Sequence, residues 1–450
     1  MFYLKSTKAR KGIILAIPTI NSQYSNLAKG LTTLQNPNKE WGTLLIEVPA
    51  DIGRAYSGYK RGGIIEGAEK FRKDMISGLI WLFGIPLFNK AGSALFEKCF
   101  KLPMNIDYDE QIIKNSLNYI AKKENARNLD ISELSKYGAD FAKKINDIGL
   151  EKSVKNVKNA RQLITIGSWL LNCFLMGIAL PKINQAITRK KLKEQQPKDY
   201  AMQFETFKEF EQKTKNKKDK NVTFKGLIDK FTYGLNNNAK VRLISTDVPM
   251  IVGRCATARN KYEAFEIALM DSSAIIFYNF TLGWTQNILS KIFASPQTNA
   301  KVSEYIVSLD ENTLNNAIKG ATNEKESFKL DTFFDKKAIN EIYSQGTNGK
   351  FGKINRLVKD EEIKQIDRST ESLLKYIGNN KKAFKDGKIN IEEATKLIKK
   401  LNIKNTAFYS LGTIISILGL GILIPKIAYA ITKKITGKDG FVGIQEENKK

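Results

Sequence analysis

The sequence predicts a mainly α-helical integral membrane protein built from two tandem repeats, each with a weak and a strong hydrophobic helix. Three observations predict it. Long uncharged runs interrupt a basic chain, short motifs recur in the same order in both halves, and histidine is absent.

The runs come first. Residues 162–181 are twenty positions without a charge, and 405–425 are twenty-one. At 1.5 Å per residue, each crosses a hydrocarbon core of about 30 Å. Both are apolar nearly all round, whereas a soluble surface helix keeps a polar face. Residues 272–290 are nineteen uncharged positions of more polar character. Residues 75–89 are fifteen, and reach spanning length only if Lys90 is tolerated and the helix continues to Phe96. The expected hydrophobic helices are therefore about 75–96, 162–181, 268–290 and 405–425. The soluble alternative buries all four inside one large helical protein.

The repeat emerges from alignment of the chain with itself. Residues 177–190 (GIALPKINQAITRK) match 421–434 (GILIPKIAYAITKK) at nine of fourteen positions, at an offset of 244. Residues 47–54 (EVPADIGR) match 247–254 (DVPMIVGR) at four positions, at an offset of 200. The second copy therefore carries about 44 extra residues between its two runs. The predicted organisation is an N-terminal segment 1–23, repeat one at 24–191, a charged linker at 192–223, repeat two at 224–435 and a polar tail at 436–450. The extra-bilayer loops are the Lys-rich stretches 97–161 and 291–404. In the linker, Phe204, Phe207 and Phe210 form a helical stripe that reads as a packing face. The charge run 213–220 reads as solvated chain. Near the start, residues 12–20 come after Lys8, Arg10 and Lys11 as in a signal peptide. Pro18 interrupts them and no small-residue cleavage pattern succeeds them, so they read as a buried strand or helix start.

If all four runs span, two runs per repeat orient both repeats alike, as in parallel transporter repeats. The basic clusters then share one face: Lys60, Arg61, Lys70, Arg72 and Lys73; Lys182, Arg189, Lys190, Lys191 and Lys193; Lys426, Lys433, Lys434 and Lys438. The positive-inside rule makes that face cytoplasmic, in a bacterial inner or plasma membrane. Lys152, Lys155, Lys158 and Arg161, with Lys396, Lys399, Lys400 and Lys404, stand on the opposite face and oppose that orientation.

Composition narrows the chemistry. The balance of 73 Lys+Arg against 46 Asp+Glu is +27, which favours anionic partners. Lysine outnumbers arginine, and a codon bias that raises Lys, Asn and Ile together weakens the inference. Without histidine, imidazole acid–base chemistry, Ser-His and Cys-His pairs and imidazole metal ligation are excluded. Cys99, Cys173 and Cys255 are scattered and odd in number, which argues against a disulfide framework or a thiolate cluster. No catalytic motif, metal site or cofactor is expected, and the chain reads as a non-enzyme.

Candidate contacts are of two kinds. Arg54, Lys60, Arg61, Lys182, Arg189, Lys190, Lys426, Lys433 and Lys434 are candidates to touch anionic lipid head groups. Glycines at 53, 58, 62 and 63 beside Arg54 and Arg61 could admit a phosphate, but their spacing matches no phosphate-loop pattern. The competing reading is a structural turn with a Glu47–Arg54 or Asp247–Arg254 ion pair. Ser272, Asn279, Gly283, Gln286 and Ser290 share one face of the third run, as an interhelical contact or a polar pathway. Gly412, Ser416 and Gly419 form a small-residue face suited to close helix packing or homo-oligomer contact. Residues 386–393 resemble the end of a calcium loop. Its first ligand positions would fall on Lys382 and Phe384, so a turn and a capped helix is expected instead. Residues 129–133 fit the same turn in repeat one.

Three roles are compatible with these features. The first is a membrane scaffold or membrane-organising protein, with lipid bilayer and anionic head groups as partners. The second is a small transporter or channel using Asn279 and Gln286. The third is a soluble basic protein binding nucleic acid. The third is disfavoured because the aromatic residues lie in the apolar runs rather than among the basic patches.

Overall fold

A computed structural model describes residues 30, 41–104, 106, 110–124, 134–195, 225–323, 328–347, 360–437 and 439–444. The segment at 12–20, the Phe204, Phe207 and Phe210 stripe, the charge run 213–220 and residues 129–133 lie outside them. The chain is mainly helical. Its contacts divide it into two compact units: 34–289 with 352–357 and 408–450, and 1–33 with 290–351 and 358–407. The first unit draws residues from both halves of the sequence.

The larger unit is a helical bundle. It opens with α1 (Trp41–Phe100), bent where Gly62 has φ −124° and Gly63 has φ 72° and ψ −166°. The second is a backbone region that glycine tolerates and other residues do not. The motif around Gly53 and Arg54 is helical, so the turn expected there lies instead at Gly62–Gly63. Two short helices come next, α2 (Glu110–Lys122) and α3 (Ala139–Ile148). With the start of α4 (Leu150–Phe174) they enclose a local core of Ile113, Leu117, Ile120, Ile145 and Val157. A π-turn, Leu175–Ala179, joins α4 to α5 (Leu180–Gln195). The chain continues into α6 (Lys225–Asn237) and α7 (Ala239–Ala256). Then α8 (Lys261–Ile276) passes through a second π-turn, Phe277–Thr281, into α9 (Leu282–Ile292).

The smaller unit comprises α10 (Ala300–Ile306), α11 (Glu311–Thr322), α12 (Leu330–Phe333), α13 (Lys336–Gly346) and α14 (Asp360–Gly378). They pack on Ile306, Leu314, Ile318, Leu373, Leu374 and Ile377. A hairpin pairs β1 (Phe384–Lys385) with β2 (Lys388–Ile389), and turns at Asp386 (φ 53°) and Gly387 (φ 74°). Asn390 Oδ1 then accepts the Glu393 N–H at 3.1 Å, capping α15 (Ile391–Leu418). The calcium-like stretch is thus a turn and a capped helix. α15 runs on through a third π-turn, Gly419–Leu423, into α16 (Ile424–Thr436), which returns the chain to the bundle.

Among the described residues, three helical stretches are long and apolar enough to cross a membrane: Gly42–Phe100, Leu150–Leu192 and Ile391–Thr436. They contain the expected runs at 75–96, 162–181 and 405–425. Only 22%, 33% and 33% of their most apolar windows are buried. The remaining expected run, 268–290, is helical but outside this set, because Asp271, Asn279, Gln286 and Asn287 make it too polar. The Gly412, Ser416 and Gly419 face packs on that run: Ser416 Oγ donates to Phe277 O at 3.4 Å. A Cβ on Gly419 would meet the Phe277 ring.

Two of the π-turns come just before a proline. A proline at 181 or 425 has no N–H for the carbonyl four residues before it, which is Gly177 or Gly421. Ser57 Oγ donates to Gly421 O at 3.2 Å, and Thr257 Oγ1 lies 3.4 Å from Gly177 O. Glycine at each crossing lets the backbones touch. A Cβ on Gly53 would sit 2.8 Å from Gly421 Cα, and one on Gly253 would sit 2.9 Å from Gly177 Cα.

Candidate functional site: a charged chamber inside the helical bundle

A set of charged side chains is buried in the bundle beside its apolar core, while many large apolar side chains are exposed. Leu163, 74% exposed, and Leu170, Trp284, Ile288, Ile414 and Leu418 form the outside. Glu47, Asp51, Arg54, Asp74, Asp247, Arg254 and Asp271 are buried.

Helical spacing delivers these groups. Glu47, Asp51 and Arg54 are four and three residues apart on the first arm of α1, so they share a face. Asp74, Ser77 and Trp81 do the same on its second arm. Asp247, Met250 and Arg254 lie on α7, and Asp271, Ala274 and Tyr278 run from α8 into its π-turn. Together these residues and Gly78, without Asp51, line a small cavity. It offers about 30 Å³ to water centres, room for one or two waters.

Arg54 is the hub of one side. It hydrogen-bonds Asp51, lies 3.4 Å from both Glu47 Oε1 and Asp74 Oδ2, and reaches the Tyr278 hydroxyl at 3.5 Å. Arg254 binds Asp271 at 2.8 Å, and its Nε reaches Met176 O at 3.4 Å. Of the two expected ion pairs, Glu47–Arg54 is present, while Arg254 takes Asp271 rather than Asp247. Trp81 and Tyr278 face each other with ring centroids 5.2 Å apart.

The lining residues pair by position. Glu47 and Asp247, and Arg54 and Arg254, stand 200 apart; Asp74 and Asp271, Ser77 and Ala274, and Trp81 and Tyr278 stand 197 apart. A second charged layer pairs in the same way. Arg61 binds Glu66 and reaches Glu266 at 2.5 Å. Arg259 binds Glu263 at 2.6 Å and Glu69 at 2.5 Å. Each arginine therefore holds one carboxylate on the arm after it and one on the matching arm from the other half. Arg61 also stacks 3.7 Å from the Tyr429 ring centroid, and Arg259 stacks 4.7 Å from that of Phe441.

Among the head-group candidates, Lys60, Lys182, Arg189, Lys190, Lys426, Lys433 and Lys434 are exposed. Arg54 and Arg61 differ from that expectation. Their side chains are only 7% exposed and are taken up by carboxylates, since helical spacing turns them inward. Gly53 and Gly58 lie within helix and form no anion-binding loop. On the third run, Asn279 is buried and donates to Ile275 O at 2.9 Å, Ser272 and Gly283 are exposed, and Gln286 and Ser290 are half-buried. The π-turn at Phe277–Thr281 adds a residue to the helical turn, and so rotates the face of α8 relative to that of α9.

Asp74, Trp81, Asp271 and Tyr278 were not among the sequence candidates. Extending the 200-residue alignment past the Gly62–Gly63 bend, with a three-residue slip, would have found them. No protein-family model, curated protein or solved structure matches the chain.

Proposed function

We propose that the chain is an integral membrane protein whose two tandem repeats enclose the charged chamber, and that it serves as a carrier or conduit for a small cation. The observation that carries this reading is a bundle with many large apolar side chains exposed and a cluster of ionisable ones buried. Water would penalise the large exposed apolar surface, and lipid accepts it. Ionisable groups within such a bundle mark a transport route or binding site by default.

A scaffold needs no ionised centre. Replacing buried ion pairs by apolar groups of similar volume is often neutral or stabilising. The chamber therefore favours a carrier over a scaffold. Matching residues from the two halves line it, as expected for a site at the interface of parallel repeats. The duplication is further supported by paired Gly–Gly crossings, by π-turns 244 positions apart, and by the two crossed arginine pairings. A nucleic-acid binder would bury its apolar runs, whereas here many of their large side chains are exposed.

The test has two steps. Membranes are washed with alkaline carbonate, and the protein should stay with them until detergent is added. Purified protein in liposomes should then dissipate an imposed monovalent-cation or proton gradient faster than protein-free liposomes, and Asp247→Asn should slow it. Release by carbonate alone rejects membrane embedding. Flux no faster than in empty liposomes rejects the carrier and returns the chain to a scaffold.

A further inference from the structure

The chamber holds more negative groups than positive ones. Glu47, Asp51, Asp74, Asp247 and Asp271 are met by Arg54 and Arg254, with Lys73 a further cation acting on Asp271. Arg54 is shared among three carboxylates, and Arg254 is committed to Asp271. Among the described residues, no ion pair reaches Asp247. Three oxygens in the cavity lining are buried without a hydrogen-bond partner: Glu47 Oε2, Asp247 Oδ2 and Ser77 Oγ. Their residues are each more than nine-tenths buried. Unpartnered carboxylate oxygens in a low-dielectric interior are strongly unfavourable.

We propose that this cavity binds one monovalent metal cation of about sodium size, held by Glu47 and Asp247 from matching positions in the two halves and by Ser77. The chemistry is set by the donors. All are oxygens, with no imidazole or thiolate among the lining residues, which selects a hard cation. Room for one or two waters excludes an organic ammonium ion. Of the chamber's five carboxylates, Asp247 alone forms no ion pair: Arg254 is paired with Asp271 and acts on Asp247 without contact, so one positive charge in the cavity gives Asp247 a direct counter-ion. Glu47 already shares Arg54, and the one or two waters that fit complete the oxygen shell of a sodium ion beside the three side chains.

This inference rests on the bilayer-embedded reading, and the experiment separates the two. Detergent-purified full-length protein is titrated with sodium chloride in a calorimeter, with choline chloride keeping ionic strength constant. Saturable heat is expected with sodium and none with choline. Asp247→Asn should weaken sodium binding about tenfold or more. Sodium should also raise the thermal unfolding midpoint of the wild type, and that rise should vanish in the variant. Should Asp247→Asn fail to fold, Ser77→Ala removes only a hydroxyl and should still weaken binding. Sodium heat equal to that of choline, heat unchanged in both variants, or heat that tracks protons or calcium but not sodium would overturn the proposal. Protein that resists carbonate extraction yet binds no sodium rejects this inference alone. Protein released by carbonate rejects the reading beneath it.

Discussion

Gly53 and Gly253 decide how near two helices come. A methyl on Gly253 would lie 2.9 Å from Gly177 Cα, and backbone cannot swing aside as a side chain can. Gly253→Ala should therefore lower stability by about 1–3 kcal/mol, read as a drop in unfolding midpoint in detergent. Gly283→Ala enters open space on an exposed helix position and should be neutral or stabilising by up to about 1 kcal/mol. A different residue-scale effect belongs to Asp310, whose side chain accepts the Thr313 N–H at 2.9 Å and caps α11. That bond holds its carboxyl below the ordinary aspartate range. The cap is complete above the unfolded value of about 3.9 and is lost as pH falls through the lower folded value. Asp310→Ala should cost about 1 kcal/mol at neutral pH, seen as faster hydrogen exchange in the first turn of α11, with the difference from wild type closing in acid. At this scale the sequence was partly legible. The Gly-Arg motifs stood out because they recur, but read as turns, since close backbone packing leaves no periodic trace of its own. Arg54 and Arg61 read as surface cations because their carboxylate partners are set by the fold.

The long helices of the bundle depend on how each accommodates an internal proline. Ser57 Oγ supplies a donor to the Gly421 carbonyl ahead of Pro425. Ser57→Ala removes it, and should lower the unfolding midpoint by the equivalent of about 1 kcal/mol. Thr257 divides its hydroxyl among the carbonyls of Gly177, Gly253 and Arg254. Thr257→Val should cost less than Ser57→Ala, and equal losses would contradict this account. The apolar helices were legible because absence of charge over about twenty residues is a strong signal. The third run was the exception: its helix formed, and Trp284 and Ile288 stand exposed on it, but its polar groups make it less apolar than the other three. The π-turns at Leu175–Ala179 and Gly419–Leu423 were not legible, because each combines a proline with a partner on another helix. The hairpin at Asp386–Gly387 was legible because its turn chemistry is local.

The bundle exposes more large apolar surface than a water-soluble protein tolerates and buries a charged cluster, and the membrane proposal stands or falls on that. The motifs that recur between the first and second halves of the sequence were visible. The chamber was not, because the side chains that form it stand about 200 positions apart and meet only once the halves pack. The four tryptophans offer a direct test, since Trp284 stands on the outer surface and Trp81 is 4% exposed beside the chamber. Two variants, each retaining one of these as the sole tryptophan, are reconstituted in liposomes containing lipids brominated along their acyl chains. Trp284 fluorescence should be strongly quenched by the bromines and insensitive to iodide in the water, while Trp81 should be little affected by either. Quenching of Trp284 by aqueous iodide, with none from the brominated chains, would contradict the account.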